Sequence, residues 1–270
     1  MLKRVFSKNF IIVLTILSIF SCSKFRKIEK SEDWRVKYDA ALKYYEDKDY
    51  YRSGVLFEQV LPIVRGLPEG EDVQFKFAYC QYYQNFFLLA AHHFKVFYET
   101  YARSEYAQEA QYMHAYSLYA NSPAYNLDQT SSMEALIAMQ NFINKYPSTK
   151  FRDDATAVID DIQEKLELKA YENAKLYYKI EKYKAAVVAF DTFKNDFPDS
   201  KFNEEVAYMK FMAQYELAQR SIYSKQLERY QEANTYYLEF IDDYPESEFI
   251  KDAEKRYANS LEKSTELAKK

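Results

Sequence analysis

The chain has 270 residues, 48% hydrophobic and 29% charged, so it can bury a core and is not a disordered polypeptide. Its 28 Tyr and 20 Phe accompany only 3 Gly and 6 Pro, which are too few turn-forming residues for a β-sandwich or a β-barrel. The formal net charge of −4 argues against a nucleic-acid partner. Long helices joined by short loops fit this composition, and amphipathic Tyr rings suit helices that are half buried.

The amino-terminal residues predict export and attachment to a lipid. A positively charged segment, residues 3–8, precedes the apolar run 10–20, which is shorter than the roughly 20 residues of a membrane-spanning helix. This pattern is typical of a signal peptide. The run ends in Ile19-Phe20-Ser21-Cys22, which resembles a bacterial lipobox. We therefore predict a signal peptide at residues 1–21, and a lipidated Cys22 with a polar tether at residues 22–32.

Lipidation has two consequences for the rest of the chain. Cys22 can no longer form a disulfide, so Cys80 is expected to pack as a small apolar residue in a helical core. Removing residues 1–21 takes away three of the 37 basic residues and none of the 41 acidic ones, which makes the mature chain more acidic. Such a composition does not favour a second, polybasic membrane signal, so we expect the lipid to be the only anchor.

Four ten-residue segments share the pattern F-x3-[YF]-[PA]-x-[ST]-x-[FY]. They begin at Phe97, Phe142, Phe193 and Phe240, and the proline position recurs after 45, 51 and 47 residues. The first aromatic belongs to the last turn of a helix, and Pro cannot continue that helix. Ser or Thr two residues later is a favoured N-cap for the next helix. The pattern predicts a helix–turn–helix junction that occurs four times.

Upstream of each junction, small and large apolar residues are spaced i, i+4, i+7 on one helix face, as in tetratricopeptide (TPR) repeats. These faces are Ala90/Phe94/Phe97, Ala135/Met139/Phe142, Ala186/Phe190/Phe193 and Ala233/Tyr237/Phe240, with a degenerate copy at Ser53/Phe57/Val60. We predict an all-α, TPR-type right-handed solenoid of about five helix–turn–helix repeats and a C-terminal capping helix, over residues 33–270. The repeats are expected near residues 33–64, 71–101, 105–146, 151–197 and 201–244, and the cap at 249–267.

With a lipobox Cys, five TPR-type repeats and repeated YP-x-S-x-[FY] junctions, the chain resembles the BamD family. These are the TPR lipoproteins of the outer-membrane β-barrel assembly machine, and the resemblance covers essentially the whole mature chain. It implies a non-catalytic scaffold, anchored in the outer membrane and facing the periplasm. The implied partners are a POTRA domain of the BamA subunit and unfolded outer-membrane protein segments. The family's basic contact residue is not carried over, because the matching position here is Ala189.

Other interpretations stay open. The chain could be a different lipid-anchored periplasmic TPR adaptor, serving envelope or cell-wall complexes. A glycan-capturing lipoprotein with a TPR core fits less well, because such proteins are much longer and carry large insertions. An enzyme is not expected, since no nucleophile–base pair is apparent. His92, His93 and His114 lack the spacing of a metal site, and no cofactor is expected.

Adjacent aromatic pairs on the early helices are the candidate partner-binding residues. One member of each pair should face the core and its neighbour should face outward, which selects Tyr45, Tyr51, Tyr83 and Phe86. These four either pack the contacts between paired helices or line a groove for an extended peptide that ends in an aromatic residue. The peptide is expected on the first two repeats.

The last two repeats are expected to bind a folded, POTRA-like domain. Seven basic residues suggest that this contact is partly electrostatic, and such charges mainly raise the association rate and are screened by salt. They are Lys210, Arg220, Lys225, Arg229, Lys251, Lys255 and Arg256.

Overall fold

The structure, a computed structural model, describes residues 24–269, and the regular structure in that range is helical with no strand. The all-α class predicted from the sequence is therefore confirmed. The helices are α1, described over residues 24–29, α2 (Trp34–Glu46), α3 (Tyr50–Val64), α4 (Glu69–Tyr83), α5 (Phe87–Thr100), α6 (Ala107–Ala120), α7 (Thr130–Lys145), α8 (Arg152–Lys179), α9 (Tyr183–Asp196), α10 (Asn203–Gln219), α11 (Tyr223–Asp243) and α12 (Ile250–Ala268).

The helices divide between two compact units. The N-terminal unit contains the chain up to Pro123 together with Asp128–Ile162, and the C-terminal unit contains Ala124–Leu127 together with the chain from Gln163 onward. Within the N-terminal unit each helix from α2 to α7 packs against the next one. The same sequential packing links α9 to α12 in the C-terminal unit, where α10 also contacts α12. Such sequential packing is the arrangement of TPR-type helix pairs.

The predicted helix faces form the cores of both units. Ala90, Phe94, Phe97, Ala135, Met139, Phe142, Ala186, Phe190, Phe193, Ala233, Tyr237 and Phe240 are all buried, and so are Ser53, Phe57 and Val60 of the degenerate copy. Cys80 is also fully buried, as predicted. On each face a small residue and a large apolar residue are one turn apart. Neighbouring helices therefore approach closely at the Ala, and the large side chain one turn later fits between side chains of the neighbouring helix.

The four junctions share one backbone geometry. The amide of the aromatic before the Pro or Ala position donates to the carbonyl of the first Phe, four residues earlier, at 2.8–2.9 Å. Those aromatics are Tyr101, Tyr146, Phe197 and Tyr244. A Ser or Thr lies two residues before the last aromatic of the motif. Its hydroxyl accepts a hydrogen bond of 3.0–3.2 Å from the backbone amide of that aromatic. The prediction that this Ser or Thr is the N-cap of the next helix is wrong. Its hydroxyl closes the turn that precedes the helix, and the N-cap residue is the aromatic itself, as at Phe202.

A parallel ring stack, which the sequence did not reveal, fixes each junction. The last aromatic of the motif stacks on a ring of an earlier first helix, with centroids 4.2–4.7 Å apart. The stacked pairs are Tyr106 on Phe75, Phe151 on Tyr112, Phe202 on Tyr171 and Phe249 on Tyr208. Each such pair contributes about 0.5–1.5 kcal/mol beyond the burial of its area.

Three tight turns inside the helix pairs use a left-handed residue. Lys48, Asn85 and Glu181 have φ near +60° and follow the first helix of a pair. In all three residues the Cβ crowds the following carbonyl, but the short polar side chain of Asn offsets this cost by hydrogen-bonding locally, whereas Lys and Glu lack that compensation. The turns therefore carry local strain at two positions.

Lys48→Gly is expected to raise the free energy of unfolding by about 0.5–1 kcal/mol, because Gly adopts φ of +60° without steric cost. Urea unfolding followed by circular dichroism measures the change. The neighbouring Asp47→Gly is the control: Asp47 has φ of −72°, so Gly there only adds flexibility to the unfolded chain and should lower stability. Equal destabilisation by both changes would contradict the strain at Lys48.

The segment after Cys22 differs from the predicted polar tether. Residues 24–29 are helical, and Phe25 and Ile28 pack against the core of the N-terminal unit. The Phe25 ring meets the Tyr44 ring edge-on at 5.8 Å. Two apolar side chains spaced i, i+3 were enough to attach this short helix to the fold, although most of its residues are polar.

Candidate partner-binding surfaces

Two of the four predicted binding residues, Tyr45 and Tyr83, belong to one cluster of rings in the N-terminal unit. Tyr50 joins them: its ring stacks on Tyr83 at 4.3 Å and lies edge-on to Tyr45 at 5.6 Å. Tyr45 is half buried, and burial raises its pKa well above the ordinary value for tyrosine. Tyr83 is 47% exposed. The cluster therefore presents Tyr83 to solvent, whereas Tyr45 serves mainly in packing.

Phe86, the third predicted residue, lies in the turn between α4 and α5 and is 52% exposed. Leu88 and Leu89 follow it in the first turn of α5, and both are more than half exposed. We call Tyr83, Phe86, Leu88 and Leu89 the α4–α5 patch. Sequence reasoning missed the two leucines because they lie in a continuous apolar run that reads as core.

Tyr51, the fourth predicted residue, faces α1. It is 65% exposed and lines a cleft of about 470 Å³. The other lining residues are Phe25, Arg26, Glu29, Asp49 and Arg52. The structure therefore places Tyr51 next to the segment that follows Cys22.

An apolar groove of about 720 Å³ lies in the C-terminal unit, and sequence reasoning did not find it. Tyr177 and Val188 contribute exposed apolar surface to it, and Leu217 is also part of the lining. Ala189 lines the groove as well. The charged residues of its lining are Glu181, Lys182, Lys184 and Arg220, and the Arg220 guanidinium lies 4.9 Å from the centre of the Tyr183 ring. We call this surface the α9 groove.

Most of the seven cations in the C-terminal unit are bound to groups of their own chain. Lys210 contacts Asp191 at 2.6 Å, Lys225 contacts Glu228 at 2.9 Å, and Arg256 contacts Asp252 at 3.5 Å. Arg220 pairs with Glu181, and Arg229 donates to the hydroxyl of Ser221. Lys251 and Lys255 are exposed. These internal partners neutralise much of the expected basic surface, so the apolar α9 groove is the stronger candidate contact.

Metal binding and nucleophilic chemistry depend on His, Cys, Asp and Glu side chains. Among residues 24–269 there is no group of three or more His, Cys, Asp and Glu side chains that could hold a metal ion. Burial raises the pKa of the Cys80 thiol to about 12, so it stays protonated and is a poor nucleophile. His114 Nδ1 lies 2.9 Å from the carbonyl of Ala91. No helix in the described part of the chain is both long and apolar enough to cross a bilayer. Cys22 lies outside the described residues.

Stacked helix pairs with exposed aromatic and apolar surfaces define a TPR-type adaptor. The family model described as "YfiO: Outer membrane lipoprotein" matches residues 31–188 and 167–268. The chain belongs to this outer-membrane lipoprotein family, which is the BamD family.

Solved structures with TPR repeats show a weaker likeness. One is a putative kinesin light chain of Podosopora anserina with nearly identical TPR-like repeats; it is 13% identical, the match covers 76% of this chain and 97% of that chain, and the TM-score is 0.33. Another is a thermophilic TPR protein of Thermus thermophilus; it is 14% identical, with 85% and 99% covered and a TM-score of 0.31. No curated protein sequence matches the chain.

Proposed function

We propose that the protein is a non-catalytic scaffold of the outer-membrane β-barrel assembly machine. In this role it binds a POTRA domain of a BamA-like subunit and unfolded segments of outer-membrane proteins, and so promotes their folding and insertion. The observation that carries the proposal is the family match, which extends over residues 31–268 and so includes all the helix pairs.

Each unit offers one surface for one of these partners. The α4–α5 patch of the N-terminal unit exposes two aromatic and two aliphatic side chains, which suits an extended peptide with an aromatic end. The α9 groove of the C-terminal unit has a volume of about 720 Å³ and is mostly apolar, with Arg220 in its lining, which suits the surface of a folded domain. We therefore assign the unfolded client to the N-terminal unit and the POTRA domain to the C-terminal unit.

Affinity purification from native membranes tests the proposal. The tagged full-length chain, extracted with a mild detergent, is expected to bring down a barrel protein that carries POTRA domains, identified by mass spectrometry. Recovery of cell-wall or other envelope proteins without a POTRA-bearing barrel would instead support the alternative, a different lipid-anchored periplasmic adaptor.

We also propose that Cys22 carries the lipid and that the helical part faces the periplasm. Metabolic labelling with a fatty acid is expected to mark the wild-type chain, and Cys22→Ala should abolish the label, because the lipid is attached through the Cys22 sulfur. Cys80→Ala is the matched control: Cys80 is buried, so its loss should leave the label unchanged. Equal labelling of wild type and Cys22→Ala would contradict this assignment.

A further inference from the structure

The short helix α1 is amphipathic and has a cationic outer face. Phe25 and Ile28 point to the core of the N-terminal unit. The exposed side chains of the segment are all basic: Lys24, Arg26, Lys27 and Lys30. Glu29, the one acid among residues 24–30, is half buried. The packing of α1 thus turns its apolar residues inward and its three cations outward, and Lys30, in the turn that follows, adds a fourth exposed cation.

Arg52 contacts α1 through the Phe25 ring, and Asp49 holds the Arg52 side chain in place. The Arg52 guanidinium lies 5.7 Å from the ring centres of both Phe25 and Tyr44, and it pairs with Asp49 at 2.8 Å. The Asp49 carboxylate also accepts a hydrogen bond of 3.2 Å from the backbone amide of Arg52, at the start of α3. These contacts fix α1 to the first helix pair, so its cations belong to a defined surface of the folded unit. Exposed Tyr51 borders the same surface.

This surface lies only a few residues after Cys22. If Cys22 carries the lipid as proposed above, the surface is therefore held close to the membrane. Phe25 is three positions after Cys22, and an extended chain spans at most about 3.6 Å per residue, or roughly 11 Å over this distance. The electrostatic potential of a charged surface decays over about 8 Å at physiological salt. The cations of α1 therefore lie within reach of the headgroups around the anchor.

We propose that the outer face of α1, together with Tyr51, is a membrane-contacting surface that binds the anionic phospholipids of the leaflet holding the anchor. A basic patch is a known second membrane-binding signal beside a lipid anchor. Tyr is enriched at the membrane–water interface because its ring is apolar and its hydroxyl is polar. The sequence concealed this patch because the mature chain is acidic as a whole and only the fold reveals which charges point outward.

Vesicle binding by an unlipidated chain tests the proposal. Residues 23–270, which retain every residue that the structure describes, are mixed with vesicles of zwitterionic phosphatidylcholine alone or with about one-third phosphatidylglycerol, and bound protein is measured by sedimentation. We expect binding to the anionic vesicles only, weakened by added salt. A cation near an anionic membrane strengthens binding about fivefold, so Lys24→Gln, Arg26→Gln, Lys27→Gln and Lys30→Gln combined should weaken it by up to roughly 600-fold.

A charge-matched variant controls for net charge. Lys201→Gln, Lys251→Gln, Lys255→Gln and Lys269→Gln remove four exposed cations from the C-terminal unit and should leave vesicle binding unchanged. Circular dichroism of both variants verifies that each is folded. Equal loss in both variants, or no binding of the wild-type chain to anionic vesicles, would overturn the proposal.

The result is independent of the proposed function. The chain in this experiment carries no lipid, so a failure of acylation at Cys22 would appear in the fatty-acid labelling and would not change vesicle binding. Likewise, co-purification of a POTRA-bearing protein does not depend on α1. Failure of the unlipidated wild-type chain to bind anionic vesicles, with intact labelling and co-purification, would therefore reject the membrane surface alone.

Discussion

Phe190→Ala is expected to lower the free energy of unfolding of the C-terminal unit by about 3–5 kcal/mol, as truncations of buried Phe do. Phe190 is completely buried on α9. Its core contains Tyr171, Ala174, Tyr183, Ala186, Val187, Phe193, Val206 and Ala213. Removing the ring leaves a cavity between α9 and its neighbours that stiff helix pairs cannot fill.

Urea unfolding followed by far-ultraviolet circular dichroism measures this loss. The control is Val188→Ala on the same helix, where the side chain is 59% exposed and the expected change is within about 0.5 kcal/mol. A midpoint for Phe190→Ala that equals that of Val188→Ala would show that the i, i+4, i+7 face is not the core of this repeat.

Val188→Asp is expected to weaken binding of the POTRA domain by at least about tenfold while the protein stays folded. The side chain is exposed in the α9 groove, so a carboxylate costs little in the free protein. In a complex the same carboxylate would be buried against apolar surface without a partner, which costs about 1–3 kcal/mol or more. Titration calorimetry with the purified POTRA domains measures the affinity.

The matched control places the same charge elsewhere in the same unit. Leu238 on α11 is 50% exposed and does not line the α9 groove, so Leu238→Asp should bind the POTRA domain like the wild type. Weakening by Leu238→Asp alone would assign the contact to α11 instead. Loss of unfolded-peptide binding by Val188→Asp, with the POTRA domain still bound, would mean that the two units exchange the roles proposed here.

The helix pairs were predictable because their determinants are local. Ala186, Phe190 and Phe193 are one turn apart on a single helix, and Pro198 ends that helix, so the sequence contains both the face and its boundary. The ring stacks were not predictable in the same way. Phe202 and Tyr171 are 31 residues apart, and only the packed fold brings them to 4.2 Å.

The binding surfaces were less predictable than the core, because exposure depends on neighbours that are distant in sequence. Tyr45 and Tyr51 look equivalent in their aromatic pairs, yet Tyr50 and Phe57 cover Tyr45 while Tyr51 stays exposed. Whether a charged side chain is free or paired was equally hard to predict from the sequence. In the sequence Lys210 looks like a free surface cation, but it lies on α10 and contacts Asp191 on the neighbouring helix α9.

The junction stacks explain how the repeats vary in length without losing their architecture. The helix that opens the third repeat, α6, has 14 residues, whereas α8 has 28 and α10 has 17. Nevertheless, the Tyr112–Phe151, Tyr171–Phe202 and Tyr208–Phe249 stacks keep nearly the same ring geometry. The added helical turns therefore lie outside the junction, here called the joint, and this joint is the part of the repeat that stays constant. Divergent relatives should accordingly be easier to find by a search for the joint, with its spaced aromatics and hydroxyl, than by a search for a fixed repeat period.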